Sequence, residues 1–325
     1  MGCAQARAFW VAAPGRGEIR VEPVRDPSAD EVAVRALFSG ISRGTETLVF
    51  QGRVPASERD RMAAPFQAGT FPAPVKYGYA NVGTIERGPV ALTGRRAFVL
   101  YPHQTCYVVP AGAVHLLPEG VPPARAVLAA NLETAVNGLW DAGVHAGDRV
   151  TIVGAGTVGS LVAYIAGRIP QCDVELVDVN ASRAAVAEAF NVHFAMPASA
   201  RGDRDVVIHA SGSPSGLECA LAVAGFEATI VEMSWYGDRS VGVPLGEAFH
   251  ARRLTIKSSQ VGSVAAAQRA RWDTRRRMQL ALAMLGDPAL DVLITGESAF
   301  DDLPEVMAQL ASTPGDTIFH RVRYS

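Results

Sequence analysis

Lysine is nearly missing from this chain: of 30 basic residues only Lys76 and Lys257 are lysine, and the rest are arginine. We read the bias as one of genome composition. Against 32 acidic residues it leaves a net charge of −2, which gives no electrostatic reason to expect nucleic acid or an anionic membrane as partner. Cysteine is sparse as well. Cys3, Cys106, Cys172 and Cys219 are scattered with no CxxC pair, so neither a disulfide framework nor a structural zinc site can be read from them. Long apolar runs are lacking. Each is broken by Gly, Pro or charge well short of the ~20 residues a membrane span needs. Residues 1–11 hold no apolar stretch long enough for a signal peptide. Repeats and low-complexity linkers are absent too, so a soluble protein of a reducing, cytoplasmic setting is expected.

What is present divides into two textures. The 325 residues, 49% of them hydrophobic, are enough for two domains with a core each. Residues 18–22 and 31–35 alternate polar and apolar with the period of half-buried strands, and 96–100 and 106–110 predict two more. Gly and Pro punctuate the stretches between them. From Pro122 the chain is Ala-rich and helical in period to Ala142. Beyond Asp148 strands and helices alternate: strands at 149–153, 173–177, 205–209, 228–231 and 254–257, helices at 158–168 and 182–190. That alternation predicts a parallel, doubly wound sheet. A helical, Arg-rich stretch is expected after Val261.

The sharpest motif is Gly154, Gly156 and Gly159 in GxGxxG spacing. It directly follows a strand and opens a helix, the context that gives the motif meaning. The first glycine allows the tight turn, the second lets the backbone approach a pyrophosphate, and the third permits close helix–strand packing. The helix N-terminus offers free N–H groups to the phosphates. Asp178 ends the second strand 19 residues after Gly159, where a carboxylate accepts hydrogen bonds from an adenosine ribose diol. A carboxylate there repels a 2′-phosphate, so NAD is expected over NADP, with Arg183 nearby to soften the preference.

A β-rich half before such a domain, together with Gly40-Ile-Ser-Arg-Gly-Thr-Glu46, Lys76-Tyr-Gly-Tyr79, Ala146-Gly-Asp-Arg-Val150 and Ala210-Ser-Gly-Ser213, resembles the medium-chain dehydrogenase/reductase superfamily, alcohol dehydrogenase-like, over nearly the whole chain. Ser-Arg-Gly-Thr-Glu and Phe249-His-Ala-Arg-Arg253 look like a branch often labelled zinc-binding dehydrogenase, with bacteriochlorophyllide dehydrogenases as relatives. The resemblance implies an α/β chain: a GroES-like β-rich catalytic domain over 1–125, a Rossmann NAD-binding domain over 126–262, and a return to the first over 263–325. The cofactor is then expected in the cleft between them. Further cofactor contacts are implied at Thr157 and Val158, at Val179, Asn180 and Arg183, at Ala210, Ser211 and Gly212, and at Met233 and Ser259. The superfamily also implies a homodimer paired through the last strand, here at about 254–258.

The zinc ligands of that superfamily do not carry over. Ser42 or Arg43 stands where a Cys is needed, Tyr79 where a His is needed, and Ala130 at the third position, with Glu133 three residues on. No zinc is therefore expected, and hydride transfer to a carbonyl needs another source of proton or hydrogen bond. Tyr79 is a donor to the substrate or a plug filling the metal's space. His103 is a proton relay or an exposed loop histidine. Glu133 binds substrate or ribose, or caps its helix. Thr45 lies on the turn facing the nicotinamide in the superfamily, and Arg43 is expected to pair with Glu46. Arg269, Arg271, Arg275, Arg276 and Arg277 make a solvated helix surface or a clamp for an anionic substrate. The expected function is a zinc-independent, NAD(H)-dependent oxidoreductase (EC 1.1.1.-) on a small alcohol/carbonyl pair. Its rivals are an NADPH-dependent quinone or ene reductase and a non-catalytic NAD(H)-binding pseudoenzyme.

Overall fold

The computed structural model describes residues 4–313 and 315–325. The chain divides into two compact units, Met1–Ala130 with Leu282–Ser325, and Asn131–Ala281. Among the described residues no helix is long and apolar enough to cross a membrane.

The first unit is β-rich. Strands expected at 18–22, 31–35, 96–100 and 106–110 are found at Arg16–Pro23, Glu31–Ile41, Arg96–Val99 and Cys106–Pro110. Glu31–Ile41 is the hub. It pairs with Asn81–Arg87, with Cys106–Pro110 and, from the far end of the chain, with Phe319–Arg323. That last partner explains why the strand outruns its local alternation: residues 38–41 are held by backbone bonds from 320–323. Val32, Val34, Ile85, Val99, Tyr107 and Val109 form its core, with Tyr101 stacked on Tyr107 at 3.7 Å between ring centroids. Straight after the hub strand the chain turns into a helix, Arg43–Phe50. Among the described residues Cys172 and Cys219 are free.

The second unit contains a six-stranded parallel sheet: β1 (Arg149–Val153), β2 (Asp173–Val177), β3 (His193–Ala195), β4 (Arg204–His209), β5 (Ala224–Glu232) and β6 (Thr255–Ser258). Their spatial order is β3-β2-β1-β4-β5-β6, the order of the dinucleotide-binding fold. In that order the switch point lies between β1 and β4, and ligands bind beyond the strands' carboxyl ends there. Helices α1 (Thr157–Ala166), α2 (Ala184–Phe190) and α3 (Pro214–Val223) connect them. Val153, Val177, Val207 and Ile230 of the strands and Leu217, Ala220 and Leu221 of α3 share one core, as apolar parallel strands require.

The return to the first unit comes later than the sequence suggests, at Leu282 rather than 263. Arg277 is the reason. Its buried guanidinium donates to Glu133 Oε1 at 3.0 Å, to Asn137 Oδ1, and to the carbonyls of Val261 and Ser263, while the Ala265 amide donates to Asn137. These bonds hold 261–277 in the second unit. The Arg-rich helix is also shorter than expected, Thr274–Met284, because Asp273 caps it by accepting from the Arg276 amide at 2.7 Å.

Candidate active site

In the second unit the glycine turn follows β1. Gly154 lies at φ +109°, and a Cβ there would come within 2.6 Å of the Ser211 backbone. A Cβ on Gly159 would lie 1.9 Å from the Gly154 carbonyl oxygen, so both positions admit only glycine. Gly156 differs: a Cβ there meets no protein atom within 4 Å, leaving room at the N-terminus of α1 for a ligand's phosphates. Thr157 is buried and Val158 half-buried in the first turn of α1. Asp178 follows β2 directly. Its Oδ2 accepts from the Ala155 amide at 2.7 Å and its Oδ1 from the Asn180 amide at 2.8 Å. The carboxylate is half-buried and keeps acceptor positions for a ribose diol. Val179 beside it is exposed. Arg183 is 6% exposed, so it is not presented at the surface of this turn. Ala210, Ser211 and Gly212 follow β4. The Met233 amide donates to the His209 carbonyl, and the Ser259 hydroxyl donates to Asp141 at 2.8 Å. The donor-rich turn, the open Gly156 and the acid fit a dinucleotide.

The first unit gathers a polar cluster around the start of the Arg43–Phe50 helix. Glu46 Oε1 accepts from the Ser42 amide at 2.8 Å, and its Oε2 lies 2.8 Å from His103 Nε2. His103 Nδ1 lies 2.7 Å from Ser39 Oγ, which in turn is 2.9 Å from the Tyr324 hydroxyl. Glu46 and His103 are 3% and 1% exposed. His103 is thus not an exposed loop residue: it is a buried partner of Glu46. Arg43 does not pair with Glu46. It donates to the Thr317 carbonyl at 2.8 Å, because Glu46 is already held by His103 and the Ser42 amide. Tyr79 and Thr45 are the half-buried members of this neighbourhood. Burial and then the Glu46 charge push the Tyr79 phenol's pKa up to about 12, opposed by the Ser42 and Thr45 side chains. It stays protonated through neutral pH.

This donor set does not suit a catalytic zinc. Glu46 and His103 satisfy each other, and no third His, Cys, Asp or Glu joins them in a metal-sized group among the described residues. Glu133 lies in the second unit, 6% exposed and ion-paired with Arg277. Burial raises its pKa, opposed by the arginine's charge and hydrogen bond. The salt bridge, rather than helix capping, occupies it. Of the five arginines between 269 and 277, Arg277 alone is buried, while Arg269, Arg271, Arg275 and Arg276 are exposed.

A pair that sequence reasoning passed over ends two neighbouring strands. His209 closes β4 fully buried, with Nδ1 2.8 Å from Glu232 Oε2 at the end of β5 and Nε2 2.6 Å from Ser211 Oγ. The signal was a titratable residue at the carboxyl end of each of two apolar strands.

The fold and both sites define a dinucleotide-binding α/β chain with a β-rich unit carrying a tyrosine–threonine–glutamate cluster. No protein-family model matches the chain. A D-guloside 3-dehydrogenase of Escherichia coli (strain K12) is 23% identical over 315 residues, spanning 88% of this chain and 87% of its own. Among solved structures, a protein named as a zinc-binding dehydrogenase from Sinorhizobium meliloti 1021, bound to NADP, is similar at a TM-score of 0.77. It is 17% identical, with 98% of this chain and 99% of that one covered. An alcohol dehydrogenase from Escherichia coli CFT073, complexed with NADH, is similar at 0.76, with 18% identity and 98% and 99% covered. The chain therefore has the medium-chain dehydrogenase/reductase fold over its length.

Proposed function

We propose that the chain is a zinc-independent, NAD(H)-dependent oxidoreductase of the medium-chain type, acting on an alcohol/carbonyl pair. The observation that carries it is the glycine turn with open space at Gly156 and the Asp178 carboxylate fixed beside it by two backbone amides. A bound nicotinamide would supply or accept the hydride. The chain's own part is to hold the substrate oxygen. Tyr79, kept neutral by its raised pKa, donates to that oxygen, and the Thr45 hydroxyl lies in the same cluster. Glu46, anchored by His103, keeps the Ser42 end of the cluster in place. The curated relative acts on a guloside, which makes glycosides and polyols the first secondary alcohols to screen.

Side-by-side fluorescence titrations with NADH and NADPH test the cofactor. NADH should bind more tightly. Asp178→Ala should weaken NADH binding by roughly 1–3 kcal/mol, the scale for hydrogen bonds to a charged group, and narrow the gap to NADPH. A wild-type preference for NADPH would overturn the assignment. The metal is tested separately. Elemental analysis of chelator-free protein should find well under one zinc per chain, and a stoichiometric zinc that supports turnover would sink the zinc-free reading.

A further inference from the structure

His209, Glu232 and Ser211 form a chain of hydrogen bonds whose polarity can be worked out atom by atom. Glu232 is held by three donors: His209 at 2.8 Å and the Tyr236 hydroxyl at 3.2 Å on Oε2, and the Ser234 amide at 2.7 Å on Oε1. Burial raises its pKa, but His209 and Ser234 outweigh that and the net shift is downward, so it is an ionised acceptor. An ionised carboxylate only accepts, so the His209 nitrogen facing it, Nδ1, carries a hydrogen. In the neutral ring Nε2 is then an acceptor, and the partner 2.6 Å away must donate. That partner is the Ser211 hydroxyl, whose single hydrogen is thereby committed inward. The Ser213 amide donates to the same Oγ at 3.2 Å. What Ser211 still offers is a lone pair. The residue is exposed, and its backbone packs against Gly154 of the dinucleotide turn.

We propose that His209 and Glu232 are positioning residues that fix Ser211 Oγ as a hydrogen-bond acceptor at the cofactor site, so that the site selects a cofactor group bearing an N–H or O–H donor. The inference rests on the reading of the second unit as a nicotinamide-cofactor site. The cofactor has three kinds of such donor: the carboxamide NH2, the adenine amino group and the ribose hydroxyls. Any of them satisfies the acceptor, and a bare anion or carbonyl at this point is repelled by it.

The test has two parts. In cofactor-free protein, 15N NMR of labelled histidines, with the His209 signals identified by their loss in His209→Gln, should show Nδ1 protonated and Nε2 bare. A ring that carries a hydrogen on Nε2, alone or together with Nδ1, overturns the relay. NADH is then titrated by fluorescence. Ser211→Ala should weaken binding about 2- to 10-fold. His209→Phe should do the same by freeing the hydroxyl to rotate, and His209→Gln should recover affinity because its amide oxygen can take the serine hydrogen. The reduced 3-acetylpyridine analogue, which replaces the amide nitrogen by a methyl group, identifies the donor. The Ser211→Ala effect disappears with it if the carboxamide is read and persists if a ribose hydroxyl or the adenine amino group is. Wild-type protein that binds NADH while Ser211→Ala binds it equally well refutes the inference alone. Wild-type protein that binds no nicotinamide cofactor refutes the cofactor reading, and the inference with it.

Discussion

Tyr79→Phe is expected to lower kcat by about 10²–10³ on the true substrate, the usual loss when one donor to a developing oxyanion is removed. NADH affinity should stay within about twofold, because the dinucleotide turn and Asp178 belong to the other unit. Only the phenol oxygen is removed. The ring keeps its edge contact with Tyr77, at 5.9 Å between centroids, so the melting temperature should hardly move. That separates a donor from a plug: a plug, whose ring phenylalanine preserves, would leave kcat at the wild-type value. The pH dependence should also be flat across neutrality on account of this group, since a phenol whose pKa is pushed up to about 12 by burial and the Glu46 charge does not ionise there. His103→Gln is the contrast. It disturbs a buried pair rather than a contact to substrate, so its main effect should be on thermal stability. If Tyr79→Phe turns over at the wild-type rate, the proton comes from elsewhere, with Thr45 the next candidate.

The dinucleotide half was legible because its evidence is local. Strand, three glycines, helix and acid fall within residues 149–178, and each physical requirement names its residue type. The β-rich half was legible only in outline. Its hub strand owes residues 38–41 to a partner at 320–323, and the Ser39–Tyr324 bond spans 285 positions, which no local pattern carries. His103 illustrates the limit: a histidine on a Pro-Gln turn reads equally as a proton relay or an exposed residue until Glu46, 57 residues away, is seen at its Nε2. Arg277 is similar. Among five arginines it looked like one more surface charge. In retrospect 277, 278, 281, 282 and 285 lie on one helical face, and all five are buried, so the spacing did mark which arginine turns inward. What it could not give was the carboxylate waiting there, 144 residues earlier.

That pair carries the second large effect. Arg277→Met should destabilise the second unit by about 3–5 kcal/mol in chemical denaturation, the range for breaking a buried ion pair from one side. The methionine replaces the stem, so the loss comes from Glu133 left buried at 6% exposure without its counter-charge, and from the Val261 and Ser263 carbonyls left without a donor. The deficit should depend on pH in a definite direction. Burial already raises the Glu133 pKa, and Arg277 is what holds it down, so removing the arginine lifts it further. A carboxyl whose folded value lies above its unfolded value near ~4.3 binds its proton more tightly when folded. The penalty is therefore absent well below the unfolded value, grows as pH rises through it, and is complete above the raised folded value. Wild type and Arg277→Met should accordingly differ most at neutral pH and converge as the pH falls toward the carboxyl range. Glu133→Gln added to Arg277→Met should recover part of the loss at neutral pH, since a neutral amide needs no counter-charge, and little at acidic pH. The carbonyls of 261 and 263 remain unsatisfied in both variants and set the part that does not return. Stability curves that run parallel in pH, or a double variant no better than the single one, would mean that Glu133 is not the group this arginine neutralises.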